Sequence, residues 1–197
     1  MHRVLVLGAG KIGSLVACLL AERGTYDIHL GDVSLDGPKH LVEDLGLSRV
    51  TPCILDVRHP DAVSTYLATH PVDAVVSSLP YYCNPNVAGL ALTHGLHYFD
   101  LTEDVEVTNQ IRVLSSGATH AFAPQCGLAP GFISIVTHDL MTHFETLDTV
   151  KMRVGALPVH PSNALKYSLT WSTDGLINEY GNLCYGIEDG EKVPLQP

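Results

Sequence analysis

The sequence is short of charge, and the charge it carries is acidic: 16% of its 197 residues are charged, with a formal net charge of -10 and a pI near 5.4. Without a basic footprint, nucleic acid and anionic membrane surfaces are excluded as expected partners. No apolar run approaches the roughly 20 residues of a membrane span. The start, MHRVLVLGAG, has no long apolar stretch before its glycines, and Lys11 follows at once, so no signal peptide and a cytoplasmic location are expected. The five cysteines, Cys18, Cys53, Cys83, Cys126 and Cys184, are never spaced C-x-x-C, which argues for free thiols and against a zinc ribbon or disulfide framework. Eleven histidines include no H-E-x-x-H, and His94, His97 and His120 fall near strand edges or turns, so no metal site is expected. Repeats and low-complexity segments are missing too. What remains is an ordinary globular composition, 46% hydrophobic and long enough for a sound core.

Against these absences one stretch stands out, Arg3 to Gly13, RVLVLGAGKIG. Val4 to Leu7 is an apolar run too short for a helix and rich in β-branching, which reads as a buried parallel strand. Gly8, Gly10 and Gly13 complete G-x-G-x-x-G. The first permits a tight turn, the second lets a pyrophosphate approach the backbone, and the third lets the next helix pack on the strand. That helix start would aim free NH groups and a positive dipole end at the phosphates, with Lys11 and Ile12 on the turn. Ile12, Leu15, Val16, Leu19 and Leu20 recur on one helical face, and a second apolar run, Ile28 to Leu30, ends in Gly31 and Asp32. Asp32 lies 24 positions after Gly8, close to the roughly 20-residue separation at which an acid meets adenosine ribose hydroxyls. A ribose 2′-phosphate needs a nearby cation, but Val33 and Ser34 are neutral and the nearest basic residue is Lys39. The expected cofactor is therefore NAD, ahead of NADP.

Further along, Pro38 to Gly46 reads as a helix and Val50 to Asp56 as a third strand. Asp56 and Val57 close that strand on the cofactor edge, where Asp56 is either an adenine contact or a cap. Pro60 suits the first position of a helix running to His70. Asp73 to Ser78 makes a fourth strand, and SSLPYYCNP leaves its carboxyl end as a loop beside the nicotinamide. Tyr81 and Tyr82 would flank substrate there, or pack the loop onto the sheet. Asn84 and Pro85 read as an N-cap and a first-turn proline, with Val87 to His94 helical. His97 to Asp100 is a fifth strand, and Asp100, Thr102, Glu103 and Asp104 are placed to cap a helix over Val105 to Leu114. Ala121 to Pro124 is a sixth strand. Pro130 and Gly131 open a last helix with Phe132, Ile135, Val136, Leu140 and Phe144 as its core stripe.

From Asp148 onward alternation replaces helical spacing. Val150, Met152 and Val154 fall on one strand face, Lys151 and Arg153 on the other, and Ala164 to Trp171 is another candidate strand. The expected organisation is α/β: a Rossmann doubly wound parallel sheet over residues 1–125, followed over 126–197 by the start of a second domain. The basic face is either solvated surface or a clamp for a substrate carboxylate, with Arg153 and Lys166 as its candidates. No closing helix or strand is read in VPLQP.

Six stretches, LGAGKIG, SSLPYYCN, GLHYFDLT, PQCGLAPGF, RVGALP and WSTDGLINEY, resemble the saccharopine dehydrogenase and lysine 6-dehydrogenase family. The resemblance implies an NAD(P)-dependent oxidoreductase of lysine metabolism acting on an amino-acid C–N bond, with an α+β substrate and dimerisation domain around a mixed sheet. It implies a homodimer and a small amino-acid substrate. It maps the glycine turn to Gly8, Gly10, Lys11, Ile12 and Gly13, the ribose acid to Asp32, and the loop over the nicotinamide to Ser78, Leu79, Pro80 and Tyr81. Tyr81, Tyr82, Asp100 and Cys126 are the polar groups expected nearest the reacting carbon. Ala129 stands where saccharopine-forming enzymes tend to carry an acid, which points toward the lysine 6-dehydrogenase branch. Ala156 stands where glycine is usual. Family members are considerably longer, so the chain reads as a fragment or a shortened relative. Reduction of a carboxynorspermidine- or saccharopine-type imine, and a dinucleotide-binding regulator without turnover, are the alternative readings.

Overall fold

The run Val4 to Leu7 is apolar on both faces because its strand is buried on both faces. Val4 and Val6 pack with Ile28, Leu30 and Val50 on one side, while Leu5 and Leu7 pack with Leu55, Val63, Val75 and Val87 on the other. A parallel sheet covered on each side by helices requires such two-sided strands. The computed structural model describes residues 1–195 except 156, 165, 170, 171 and 182, with nothing of the Glu179 side chain. They fall into two compact units, 1–153 and 154–197.

The first unit holds six strands: β1 (His2–Leu7), β2 (Tyr26–Asp32), β3 (Val50–Ile54), β4 (Ala74–Ser77), β5 (His97–Asp100) and β6 (Phe122–Ala123). They are parallel and lie in the order β3-β2-β1-β4-β5-β6. This is the doubly wound order of dinucleotide-binding sheets, and its reversal between β1 and β4 opens a crevice at the strands' carboxyl ends. The helices are α1 (Lys11–Glu22), α2 (Asp36–Leu45), α3 (Pro60–Thr69), α4 (Asn84–His94), α5 (Val105–Leu114) and α6 (Phe132–Met141). Proline opens α3 as expected. Asp104 caps α5 by accepting the Val107 amide at 2.7 Å.

Several expectations are corrected. Asn84 is no N-cap: it lies inside α4, buried, where its Oδ1 accepts the Ser77 hydroxyl at 2.7 Å and ties the end of β4 to the helix. On α1 it is Gly13 and Ala17, with Val16 and Leu20, that face the sheet, while Ile12, Leu15 and Leu19 are exposed. The stripe on α6 is no core either, since Phe132 is 59% and Ile135 70% exposed and Phe144 lies beyond the helix. Val150, Met152 and Val154 form no strand and are exposed. Alternation makes a strand only where another strand or a helix covers its apolar face. Among the described residues none does so here.

The second unit differs most from expectation. The described part of 164–171 is not extended strand, and Leu165, Thr170, Trp171 and the Ala156 departure lie outside the described residues. Next comes α7 (Thr173–Gly181), with the Ser172 hydroxyl accepting the Gly175 amide at 3.1 Å. A hairpin follows, β7 (Cys184–Glu188) paired antiparallel with β8 (Glu191–Leu195), so VPL does belong to a closing strand. Asp189 and Gly190, both at positive φ, make its two-residue turn, the most favoured hairpin chemistry. Among the described residues no helix is long and apolar enough to cross a membrane.

The Ser77–Asn84 bond yields a stability prediction. Asn84→Ala leaves a buried hydroxyl unpartnered and should cost about 1–3 kcal/mol, read as a lower urea midpoint with unchanged m-value.

Candidate functional site

Crowding defines the glycine turn. A Cβ on Gly13 would stand 1.8 Å from the Gly8 carbonyl oxygen, and one on Gly8, at φ +94°, would stand 2.6 Å from the Ser78 carbonyl oxygen. Gly10 is the opposite case: nothing lies within 4 Å of the Cβ it lacks. Two glycines thus let α1 and the loop after β4 close on the turn, and the third keeps open the space where a phosphate would approach. Gly10 is the N-cap of α1 and makes no side-chain cap, so the amides of Lys11, Ile12 and Gly13 begin the helix without a side-chain acceptor. The Ser14 hydroxyl donates to the Ala9 carbonyl at 3.0 Å and braces the turn.

Asp32, closing β2, turns toward this crevice. Its Oδ2 accepts the Ala9 amide at 2.7 Å. Beyond it Val33 is exposed, the Ser34 hydroxyl accepts the Asp36 amide at 3.2 Å, and Lys39 lies 3.7 Å from Glu43. At the neighbouring strand end the Leu55 amide donates to the Asp32 carbonyl at 2.8 Å. Asp56 then holds Arg58, and this guanidinium keeps the Asp56 carboxyl down at about 2.

On the other side of the switch point, the Ser78 amide donates to the Leu7 carbonyl at 2.8 Å, which sets Ser78, Leu79 and Pro80 over the glycine turn. Tyr81 to Cys83 form one 3₁₀ turn. Tyr81 is half-buried and packs with Leu79 against the core, whereas Tyr82 is 60% exposed and meets Tyr81 edge to face. Tyr81 thus packs the loop onto the sheet, while Tyr82 stands outward.

Asp100 is a buried knot. It is 0% exposed, and its carboxylate accepts the Tyr98 hydroxyl at 2.6 Å, the Thr102 amide at 2.9 Å and the Gln125 amide at 3.0 Å. Burial pushes its pKa up, against the pull of these donors. As placed, no face of Asp100 is open to a substrate. It fixes the segment after β6, where the Cys126 amide donates to the Asp100 carbonyl at 2.8 Å. Cys126 itself is exposed, and partial desolvation together with the Asp100 charge raises its thiol, so it is not a resting thiolate. The following GLAPG loop closes on itself: a Cβ on Gly131 would stand 2.3 Å from the Gly127 carbonyl.

Arg153 ends the first unit and is exposed; Lys166 belongs to the second unit, in a turn at positive φ. The structure therefore gathers Gly8 to Gly13, Asp32, Val33, Asp56, Val57 and Ser78 to Tyr82 along one sheet edge, with Asp100 and Cys126 at the end of β5. Residues not anticipated are Ala9, Ser14, Arg58 and Gln125. Of these, Arg58 was readable as D-x-R after a strand; Gln125, at φ +63°, left no sequence signal. Among the described residues no cluster of His, Cys, Asp or Glu could hold a metal ion.

Comparison with known proteins gives the fold its relatives. The saccharopine dehydrogenase NADP binding domain model matches residues 4–124, and the saccharopine dehydrogenase C-terminal domain model matches 127–196. The chain belongs to the saccharopine dehydrogenase family. It is similar to the mitochondrial alpha-aminoadipic semialdehyde synthase of Mus musculus, 26% identical over 187 residues that cover 89% of this chain and 19% of that protein. Apo saccharopine dehydrogenase (L-Glu forming) of Saccharomyces cerevisiae shares the fold over the whole chain with a TM-score of 0.70 and 22% identity, spanning 44% of that chain. GenD2 from gentamicin A biosynthesis, solved in complex with NAD, aligns over 75% of this chain and 41% of its own, with a TM-score of 0.54 and 19% identity. The chain thus spans about a fifth of the mouse protein and less than half of the yeast one. Family membership makes the crevice a nicotinamide dinucleotide site, and the open space at Gly10 beside the Asp32 carboxylate fits that group.

The glycines separate folding from binding. Gly10→Val should leave the urea midpoint within about 0.5 kcal/mol of the parent yet weaken NADH binding at least about a hundredfold. Gly13→Ala should cost on the order of 2–3 kcal/mol in stability. Paired NADH fluorescence titrations and urea melts check both.

Proposed function

We propose that this chain binds NAD for an oxidoreductase acting on the C–N bond of an amino acid, of the lysine 6-dehydrogenase or saccharopine dehydrogenase type. The observation that carries the reading is the Asp32 carboxylate, held at 2.7 Å by the Ala9 amide beside the open Gly10 turn. One oxygen is taken by the turn, and the other is left for ribose hydroxyls. The amides of Lys11, Ile12 and Gly13 would hold the pyrophosphate, and Ser78, Leu79 and Pro80 would lie beside the nicotinamide ribose. Asp56 and Val57 would border the adenine.

Once bound, the nicotinamide supplies the hydride chemistry. The protein must bring the amine-bearing carbon to it, exclude water and take a proton from the ammonium. Tyr82 and Cys126 are exposed and can meet that amine; Tyr81 and Asp100 hold the loops that carry them. Arg153 and Lys166 are proposed to bind the substrate carboxylate, a role suited to a bidentate guanidinium. We also propose a homodimer, in keeping with the exposed apolar stripes on α1 and α6.

A panel of amino acids, including lysine and saccharopine, followed at the NADH absorbance tests the reading. Turnover with an amine, lost with Cys126→Ala, supports it. NADH binding without turnover on any member leaves a dinucleotide-binding module only. No binding of NADH by folded protein ends it.

A further inference from the structure

The carboxyl end of β3 carries a cation that the glycine-turn logic does not use. Arg58 has a side chain 75% exposed, yet it is folded back on its own turn. Its backbone amide and Nε donate to Asp56 Oδ1, both at 2.9 Å; Nε also reaches Oδ2 at 3.0 Å, and Nη2 reaches Oδ2 at 2.6 Å. His59 Nε2 lies 4.0 Å from the same Oδ2. Cys83 and Tyr82, in the turn after β4, lie within electrostatic range of the guanidinium.

This corner adjoins the adenosine ribose. β2 and β3 pair in register, Asp32 with Ile54, and the Leu55 amide bonds the Asp32 carbonyl. Arg58 follows four residues after Ile54, so it and Asp32 stand at the carboxyl ends of neighbouring strands. A ribose 2′-phosphate at Asp32 would therefore find its cation in Arg58 if Arg58 were free. Lys39, the other basic side chain near the β2 end, lies beside Glu43 at 3.7 Å. A surface pair such as Asp56 with Arg58 adds little to folding, so its consequence is electrostatic: the Arg58 charge is tied to a carboxylate.

We propose that Asp56 sets cofactor choice by sequestering Arg58, so that the adenosine corner takes a free ribose 2′-hydroxyl and refuses a 2′-phosphate. The proposal rests on the dinucleotide reading above and adds the residue pair that discriminates NAD from NADP. Asp56 is then a specificity residue acting through Arg58, not only a border of the adenine.

The test is equilibrium titration of the chain with NADH and NADPH, at one ionic strength, for the parent, Asp56→Asn, Asp56→Ser, Arg58→Ala and the double variant Asp56→Asn/Arg58→Ala. The Arg58 side chain is largely exposed and that of Asp56 partly so, and urea midpoints verify that each variant is folded. The parent should prefer NADH. Either Asp56 variant should move the NADH to NADPH affinity ratio about tenfold toward NADPH, and removing Arg58 as well should abolish that gain. An unchanged ratio in both Asp56 variants, or a gain that survives in the double variant, overturns the proposal. So does a parent that prefers NADPH, which leaves dinucleotide binding itself standing. A folded parent that binds neither nucleotide overturns both readings together.

Discussion

Everything at the cofactor edge depends on how closely α1 approaches the turn that precedes it. With a hydrogen in place of Cβ at position 13, the helix start can rest against the Gly8 carbonyl; any side chain there would enter the oxygen's van der Waals volume. That contact fixes where the first amides of α1 point, and the same turn presents the Ala9 amide to Asp32. One backbone approach thus sets the anion site and the ribose acid together. The loop after β4 is locked to the same point, since the Ser78 carbonyl occupies the space beside Gly8. The start of α1, the Asp32 carboxylate and the loop after β4 are coupled through the glycine turn.

A second organising element lies two strands away. Asp100 gathers donors from β5, from the segment leading into α5 and from the segment leaving β6. A buried carboxylate is tolerated when its acceptor sites are met, and three strong donors meet them here. The consequence reaches the surface through Cys126, whose backbone hangs from the Asp100 carbonyl. Asp32 and Asp100 therefore do comparable work at two strand ends: each uses its carboxylate to fix a loop on the functional edge. They differ in exposure, and exposure decides which of them can also touch a ligand.

The first five strands and their helices were legible because their signals are local. Val4 to Leu7, Ile28 to Leu30 and His97 to Asp100 are short apolar runs bounded by glycine or acid, and the parallel sheet buries both of their faces, so the run itself is the pattern. The glycine turn and Asp32 were legible for the same reason. What failed to show was how side chains were shared out. Asn84 beside Pro85 has the composition of a helix cap, but the buried Ser77 hydroxyl needed an acceptor and took it. Arg58, two residues after Asp56, shows in the sequence as a D-x-R pair without its geometry. Only the folded turn brings the fork onto the carboxylate.

Beyond residue 126 the difficulty is of another kind. The α6 stripe predicts a core face and the alternation Val150, Met152, Val154 a strand face, yet most of the stripe and all three alternating residues are exposed. A pattern of apolar residues states that a face is to be covered without stating by what. In the sheet the cover is supplied within a few dozen residues, whereas here the described chain supplies none. The hairpin β7–β8 is the instructive exception: its Asp-Gly turn is a local signal, present in the sequence and passed over because the stretch was read as lacking a closing strand. Local chemistry specifies this chain's elements throughout, and nearby cover decides which of their apolar faces become core. In the first five strands the sheet and its helices cover one another in sequence order, while among the described residues the apolar faces that follow have no such cover.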